Sequence, residues 1–144
     1  MDTQLIGLWS ANEYEGWGGP AEEILIFKAD GTGRYEVINY FPEFVELFEW
    51  RVTAPGYISL LGFKKISHEG EGKTSEEPST FRFKNIPYHI QEQLVPSNRL
   101  MQVLTLSLPP RTDRLYKKFV PEHYGFIRRE LERLEEPDFS PWSK

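Results

Sequence analysis

Three histidines, three pairs of adjacent glutamates and a Gly-Trp-Gly-Gly run are the parts of this sequence whose residue types could do chemistry. His68, His89 and His123 lie in a polar loop, near a strand and at the start of a helical pattern. They share no short metal-ligand spacing, so they read as surface or structural groups and no metal site is assigned. Acid–base work needs two carboxylates converging in a cleft, but Glu22-Glu23, Glu76-Glu77 and Glu135-Glu136 fall in loops or at helix ends and read as solvated charge. The Gly16–Gly19 stretch lacks a following Lys-Ser/Thr and opens a strand, so it is not a phosphate loop. There is no Gly-x-Ser-x-Gly elbow and no cysteine nucleophile. The chain is therefore read as a non-enzyme.

Any site must be positioned by the elements that the apolar residues build. The 144 residues suit one domain with one sizeable core. Aromatics make up 15% of the chain, which supplies stiff, bulky side chains suited to strands. Eleven Pro and eleven Gly punctuate the apolar runs. Without cysteine there are no disulfides, Cys-based zinc sites or iron–sulfur clusters. A formal charge of −5 argues against nucleic-acid binding. MDTQLIGLWS has neither a basic start nor a long apolar run, so a cytoplasmic protein with no membrane span is expected.

The organising stretch is Glu22 to Tyr40, EEILIFKADGTGRYEVINY, which reads as two strands folded back through Asp30-Gly31. A three-residue loop of Ala29, Asp30 and Gly31 sets Leu25 opposite Tyr35 and Phe27 opposite Gly33. Leu25, Phe27, Tyr35 and Val37 then share one face, and Ile24, Ile26, Arg34, Glu36 and Ile38 the other. Before it, Leu5 to Glu13 reads as a first strand. After it, Leu47 to Val52 alternates with Phe48, Trp50 and Val52 inward. Tyr57 to Ile66 is a strand interrupted by Gly62, and Ser67 to Ser79, with no apolar residue, is expected to be a mobile loop. A strand follows at Thr80–Lys84, which Tyr88–Leu94 is expected to continue past an irregularity at Asn85-Ile86-Pro87, and further strands at Leu100–Leu108 and Arg114–Phe119. Tyr124, Ile127, Leu131 and Leu134 recur at helical spacing, which predicts a helix over 121–135 followed by a tail over 136–144.

About eight consecutive strands with short connections predict an all-β, up-and-down antiparallel β-barrel with one C-terminal α-helix, a single domain over residues 1–144. Gly7-Leu8-Trp9 on the first strand, the DGTG hairpin and a C-terminal helix together resemble the lipocalin-like branch of the calycin superfamily. The resemblance implies a barrel closed at one end by Trp9. Gly16 to Pro20 stands where fatty-acid-binding proteins place a helical hairpin, so that subfamily's carboxylate site is not carried over. Gly7 to Pro20 is also loosely similar to nitrobindin, whose late axial histidine would correspond to His123. The motif around that histidine is missing here, and no cofactor is assigned.

A barrel of about eight strands is either filled by its own side chains or holds one small ligand. The candidate lining is Leu25, Phe27, Tyr35, Val37, Phe48, Trp50, Phe81, Phe83, Leu104 and Leu106, with Tyr35, Trp50 and Gln102 as polar groups that would orient a ligand. Tyr14, Trp17, Tyr40 and Phe41 are the candidate rim. The expected partner is a small, largely apolar molecule inside. The alternative is a filled barrel that binds a protein, as an immunity-type module would, through Trp17, Phe41, Phe44 and the tail aromatics.

Overall fold

Asp30-Gly31 sets the first register of the fold. Gly31 takes φ 87°, and the Lys28 N–H donates to the Thr32 carbonyl at 2.9 Å across the three-residue loop. The Asp30 carboxylate accepts from the Thr32 hydroxyl at 2.6 Å and from its N–H at 2.9 Å. These bonds hold the carboxyl below its usual range. The strands that result, β2 (Glu22–Phe27) and β3 (Thr32–Ile38), pair Leu25 with Tyr35 and Phe27 with Gly33, as the sequence predicts. A Cβ on Gly33 would overlap the Ile26 carbonyl oxygen and stand 2.6 Å from the Phe48 ring. Only glycine lets the strands coil this closely.

The computed structural model describes residues 2–16, 22–38, 43–68, 72–79, 81–108 and 123–128. Ahead of the hairpin lie β1 (Gly7–Ser10) and the short helix α1 (Ala11–Glu15). After it come β4 (Glu43–Ala54), β5 (Tyr57–His68), β6 (Thr74–Glu77), β7 (Arg82–Leu94), β8 (Leu100–Leu106) and β9 (His123–Arg128). Each strand is antiparallel to its neighbours, in the order β4-β3-β2-β1-β9-β8-β7-β5, and pairing of β4 with β5 closes an eight-stranded barrel. β6 is an addition on the edge of β5. Among the described residues, no helix is long and apolar enough to cross a membrane.

Three elements differ from expectation. The first strand stops at Ser10 instead of Glu13, because the Ser10 hydroxyl caps a helix by accepting from the Glu13 N–H at 3.1 Å, and Gly16 ends that helix at φ 80°. Within the expected mobile loop 67–79, Thr74–Glu77 forms β6, paired with Lys65–His68. The bond from the Ser67 hydroxyl to Glu77 and the Lys64–Glu76 ion pair at 3.4 Å hold β6, which has no apolar residue, against the end of β5. The largest correction is at the C-terminus. Residues 123–128, inside the expected helix, are a strand that pairs with β1 through Trp9↔Phe126 and with β8 through Leu104↔Tyr124. A strand is required there because β1 and β8 would otherwise each present an unpaired edge. The strand expected at Arg114–Phe119, the rest of the expected helix and the tail lie outside the described residues.

One cluster lies inside the barrel and draws on every barrel strand. Phe27 meets Phe48 and Trp50 edge-on at 5.8 and 5.4 Å, Phe48 stacks on Phe81 at 5.3 Å, and Phe81 stacks on Tyr35 at 5.6 Å. The N-terminal turns join this cluster through Leu5, whose carbonyl accepts from Trp9 Nε1 at 2.9 Å, and through Asp2, which accepts from the Tyr88 hydroxyl at 2.7 Å. The opposite face of β2 and β3 is buried too. Leu8, Ile24 and Ile26 form a second cluster, beside an Arg34–Glu36 ion pair of 2.8 Å.

Trp9 is 1% exposed, hydrogen-bonded to Leu5 and packed edge-on against Phe126 at 5.0 Å. Trp9→Ala should therefore lower the unfolding free energy by roughly 3–5 kcal/mol. Urea unfolding followed by circular dichroism checks this, and a change near zero would place Trp9 outside the core.

Candidate functional site

Residues opposite one another on an antiparallel ladder share a face. Tyr35 faces the core and stands opposite Glu46 on β4, so the Glu46 side chain lies on the inner face, between Phe44 and Phe48 in the alternation. Glu46 is 5% exposed, and its carboxylate accepts from the Ser79 hydroxyl at 2.6 Å. Burial pushes its carboxyl above the usual value, against the pull of Ser79 and Lys65. Lys65, opposite Glu46 on β5, holds its ammonium 4.7 Å above the Phe44 ring.

Glu23 lies on the same inner face, since it shares the alternation of Leu25. Its N–H donates to the Asn12 side chain at 3.2 Å, which ties the start of β2 to α1. Its carboxylate accepts from the Tyr35 hydroxyl at 3.0 Å. Burial raises the Tyr35 hydroxyl far above its ordinary range, and the charges of Glu23 and Glu46 add to the shift. From β9, Tyr124 is buried completely within the same cluster. Burial raises its hydroxyl as well, and Tyr35 and Glu23 both act on it electrostatically. The Tyr124 hydroxyl is out of contact with solvent and makes no hydrogen bond among the described residues. A buried polar group left unsatisfied costs about 1–3 kcal/mol, so this oxygen is the feature of the interior that packing alone does not explain.

The candidate lining divides accordingly. Leu25, Phe27, Tyr35, Val37, Phe48, Trp50, Phe81, Leu104 and Leu106 are buried together in the interior cluster, with Phe83 packed against it. Trp50 spends its indole N–H on the backbone, donating to the Lys28 and Thr32 carbonyls at 3.0 and 3.1 Å. Gln102, expected as an orienting group, is exposed near the start of β8 opposite Glu92. Of the rim residues, Tyr14 stacks on His123 at 4.9 Å, while Trp17, Tyr40 and Phe41 lie outside the described residues. Phe44, a candidate surface contact, packs edge-on against Tyr35 at 6.1 Å.

His123 sits on β9, not on a helix, with Nδ1 3.2 Å from the Thr105 hydroxyl. His89 is exposed on β7, and His68 ends β5. Among the described residues no three His, Asp or Glu converge on a point. A separate cleft of about 400 Å³ lies beside the Asp30-Gly31 turn, where Arg51 and Lys84 balance Asp30 and Glu49.

The sequence reading missed Glu23, Glu46 and Tyr124. Glu46 carried a usable signal, because extending the Phe48–Trp50 alternation back by one position places it inside. Glu23 carried the same signal through Leu25. Tyr124 carried none while its segment was read as a helix.

Fold and site together define a closed antiparallel barrel whose aromatic-rich interior holds Tyr35, bonded to the half-buried Glu23, and the fully buried Tyr124. No protein-family model, no curated protein and no solved structure matches the chain.

Because folding raises the Glu46 carboxyl above its unfolded value of 4.5, the native state holds that proton to higher pH than the unfolded chain does. Its effect favours the native state most at low pH, and stability declines as pH rises from about 4.5 through the folded value. Glu46→Gln should flatten that decline, leaving the part due to Glu36, which burial raises in the same direction. Urea midpoints measured at several pH values between acid and neutral check this, and an unchanged slope would mean Glu46 is solvated.

Proposed function

We propose that this protein is a lipocalin-like binding protein that holds a small, largely apolar molecule in its barrel and does not convert it. The observation that carries this reading is the Tyr124 hydroxyl, fully buried yet without a hydrogen bond among the described residues, in the interior cluster that also holds Tyr35. Small-molecule sites combine an apolar lining with a few polar groups that fix orientation. Here the lining comes from the aromatic cluster and the orienting groups from the two tyrosines and the glutamate. The Gly7-Leu8-Trp9 strand and the DGTG hairpin support placement beside the lipocalins, and the cysteine-free composition suits a cytoplasmic carrier or sensor.

A second reading, docking to a protein, draws on Leu94 and Leu100. They stand opposite each other at the end of the β7–β8 ladder and are 63% and 66% exposed.

Native mass spectrometry of freshly purified protein, set against the same sample after denaturing extraction, should reveal a co-purifying molecule. A clean apo mass, together with failure of a fluorescent apolar probe to bind, would overturn the binder and favour docking. Tyr124→Phe separates a recognition role from a structural one. It should leave the apo protein as stable or more stable by up to about 1–3 kcal/mol, since it deletes an unsatisfied buried oxygen, while weakening binding of the extracted molecule about tenfold, the cost of one hydrogen bond of about 1.4 kcal/mol. Destabilisation with unchanged binding would make the hydroxyl structural.

A further inference from the structure

We infer that the cleft beside the Asp30-Gly31 turn, on the outer face of the barrel, is a second binding site, and that it takes a small zwitterion of the size of an unblocked dipeptide. The first argument is how the cleft is built. Trp50, Ile58 and Leu60 belong to the interior cluster, so the alternation turns Glu49, Arg51, Ser59 and Leu61 outward. Arg51 stands opposite Ser59, and Glu49 opposite Leu61. Between the pairs Ile58↔Ile86 and Leu60↔Phe83, the single residue Ser59 faces two residues of β7, Lys84 and Asn85. Phe83 and Ile86 both stay on the interior cluster, so this bulge sets two consecutive exposed side chains on the outer face. Asn85 takes φ 50° there, and its N–H donates to the Ser59 hydroxyl at 2.9 Å. The hydroxyl accepts in that bond, which leaves its proton for an acceptor in the cleft. Glu49, Arg51, Ser59, Lys84 and Asn85 all border the same volume of about 400 Å³.

The second argument is the order of the charges. Arg51 and Lys84 flank Ser59 in one row across β4, β5 and β7. Among the described residues neither makes an ion pair. Two cations on either side of a hydroxyl donor are what a carboxylate accepts from. Glu49 lies in the next row, two residues along β4, and it too makes no ion pair among the described residues. Asp30 brings a second carboxylate from the turn, which is held beside β4 by the bond from the Trp50 N–H to the Gly31 carbonyl at 2.9 Å. A ligand with negative charge alone would meet these two carboxylates, and one with positive charge alone the two cations. A molecule with one charge of each sign meets neither penalty. The spacing sets its length. Neighbouring rows on one face are two residues apart, roughly 7 Å along the strand. An extended dipeptide spans about 7 Å from end to end.

Four alanine dipeptides test this on the full-length protein by NMR titration of the backbone amides at neutral pH: the free dipeptide, its N-acetyl form, its C-terminal amide and the doubly blocked form. The free dipeptide should bind at least fivefold more tightly than either singly blocked form and shift the signals of Gly31, Ser59 and Asn85. Arg51→Gln should weaken the free and N-acetyl forms at least fivefold and leave the C-terminal amide within twofold of wild type. Glu49→Gln should do the reverse, weakening the free and amide forms and sparing the N-acetyl form. Both side chains are exposed, so the folded spectrum should be retained. Lys84→Gln should act as Arg51→Gln does, which keeps the carboxylate half testable if Arg51→Gln does not fold. Equal binding of the four peptides, or no shift at these amides up to about 10 mM peptide, would overturn the site. A singly blocked form that binds as tightly as the free dipeptide would overturn the zwitterion. The interior binder reading stands or falls separately, since none of the substituted residues belongs to the interior cluster.

Discussion

Closure of the sheet is the constraint on which the rest depends. Seven of the eight barrel strands follow one another in a meander, and such a sheet would leave the outer edges of β1 and β8 open unless a further segment filled the gap between them. Residues 123–128 do so, pairing Ser10 with Gly125 on one side and Val103 with the same glycine on the other. Backbone groups at an open edge need either water or a partner. In this sheet the edge strands carry Trp9 and Leu104, whose side chains belong in the core, so water is not available to them as a substitute. The same closure brings Tyr124 into the interior cluster that holds Tyr35. The candidate site is therefore a consequence of β9 being a strand.

That dependence explains what could be read from the chain and what could not. The β2–β3 hairpin was legible to the residue because its information is local: one turn with a fixed loop length, and alternation on either side of it. The β4 alternation was legible for the same reason. The C-terminal strand was not, because Tyr124 and Ile127 fit helical spacing while the inward pair of the real strand is Tyr124 and Phe126. Ile127 sits at an irregularity opposite β1 and is exposed. A short strand with a bulge carries too few alternating positions to outvote a helical pattern. What decides between them is the unfilled gap between β1 and β8, and that gap exists only in the assembled fold. β6 failed for a related reason, since a polar strand held by Ser67–Glu77 and Lys64–Glu76 contacts has no apolar signature to find.

α1 was legible in principle. Ser10-Ala11-Asn12-Glu13 has the spacing of a capping box, and the Ser10 hydroxyl makes the expected bond to the Glu13 N–H. The helix matters beyond its five residues because it takes the chain from β1 to β2 with Asn12 bonded to the Glu23 N–H. It is also fixed at its far end, where Gly16 is packed against Ser97 and Glu13 pairs with Arg99. The segment that sets the position of Glu23 is thus anchored to the β7–β8 turn.

The energetics of the interior point the same way as its geometry. Burial raises the Glu46 carboxyl above its usual value despite Ser79 and Lys65, and Tyr124 leaves a hydroxyl unspent among the described residues. A barrel selected only for stability would replace both with apolar side chains of similar size, since a well-packed hydrophobe is often neutral or better than a buried polar group. The other buried polar groups in the described residues do have structural partners: Arg34 has Glu36, Tyr88 has Asp2, and Trp50 has the turn carbonyls. The Tyr124 oxygen and the Glu46 carboxyl lie on the inner side of the barrel, with Tyr35. Folding thus leaves polar groups inside the barrel that stability alone does not call for.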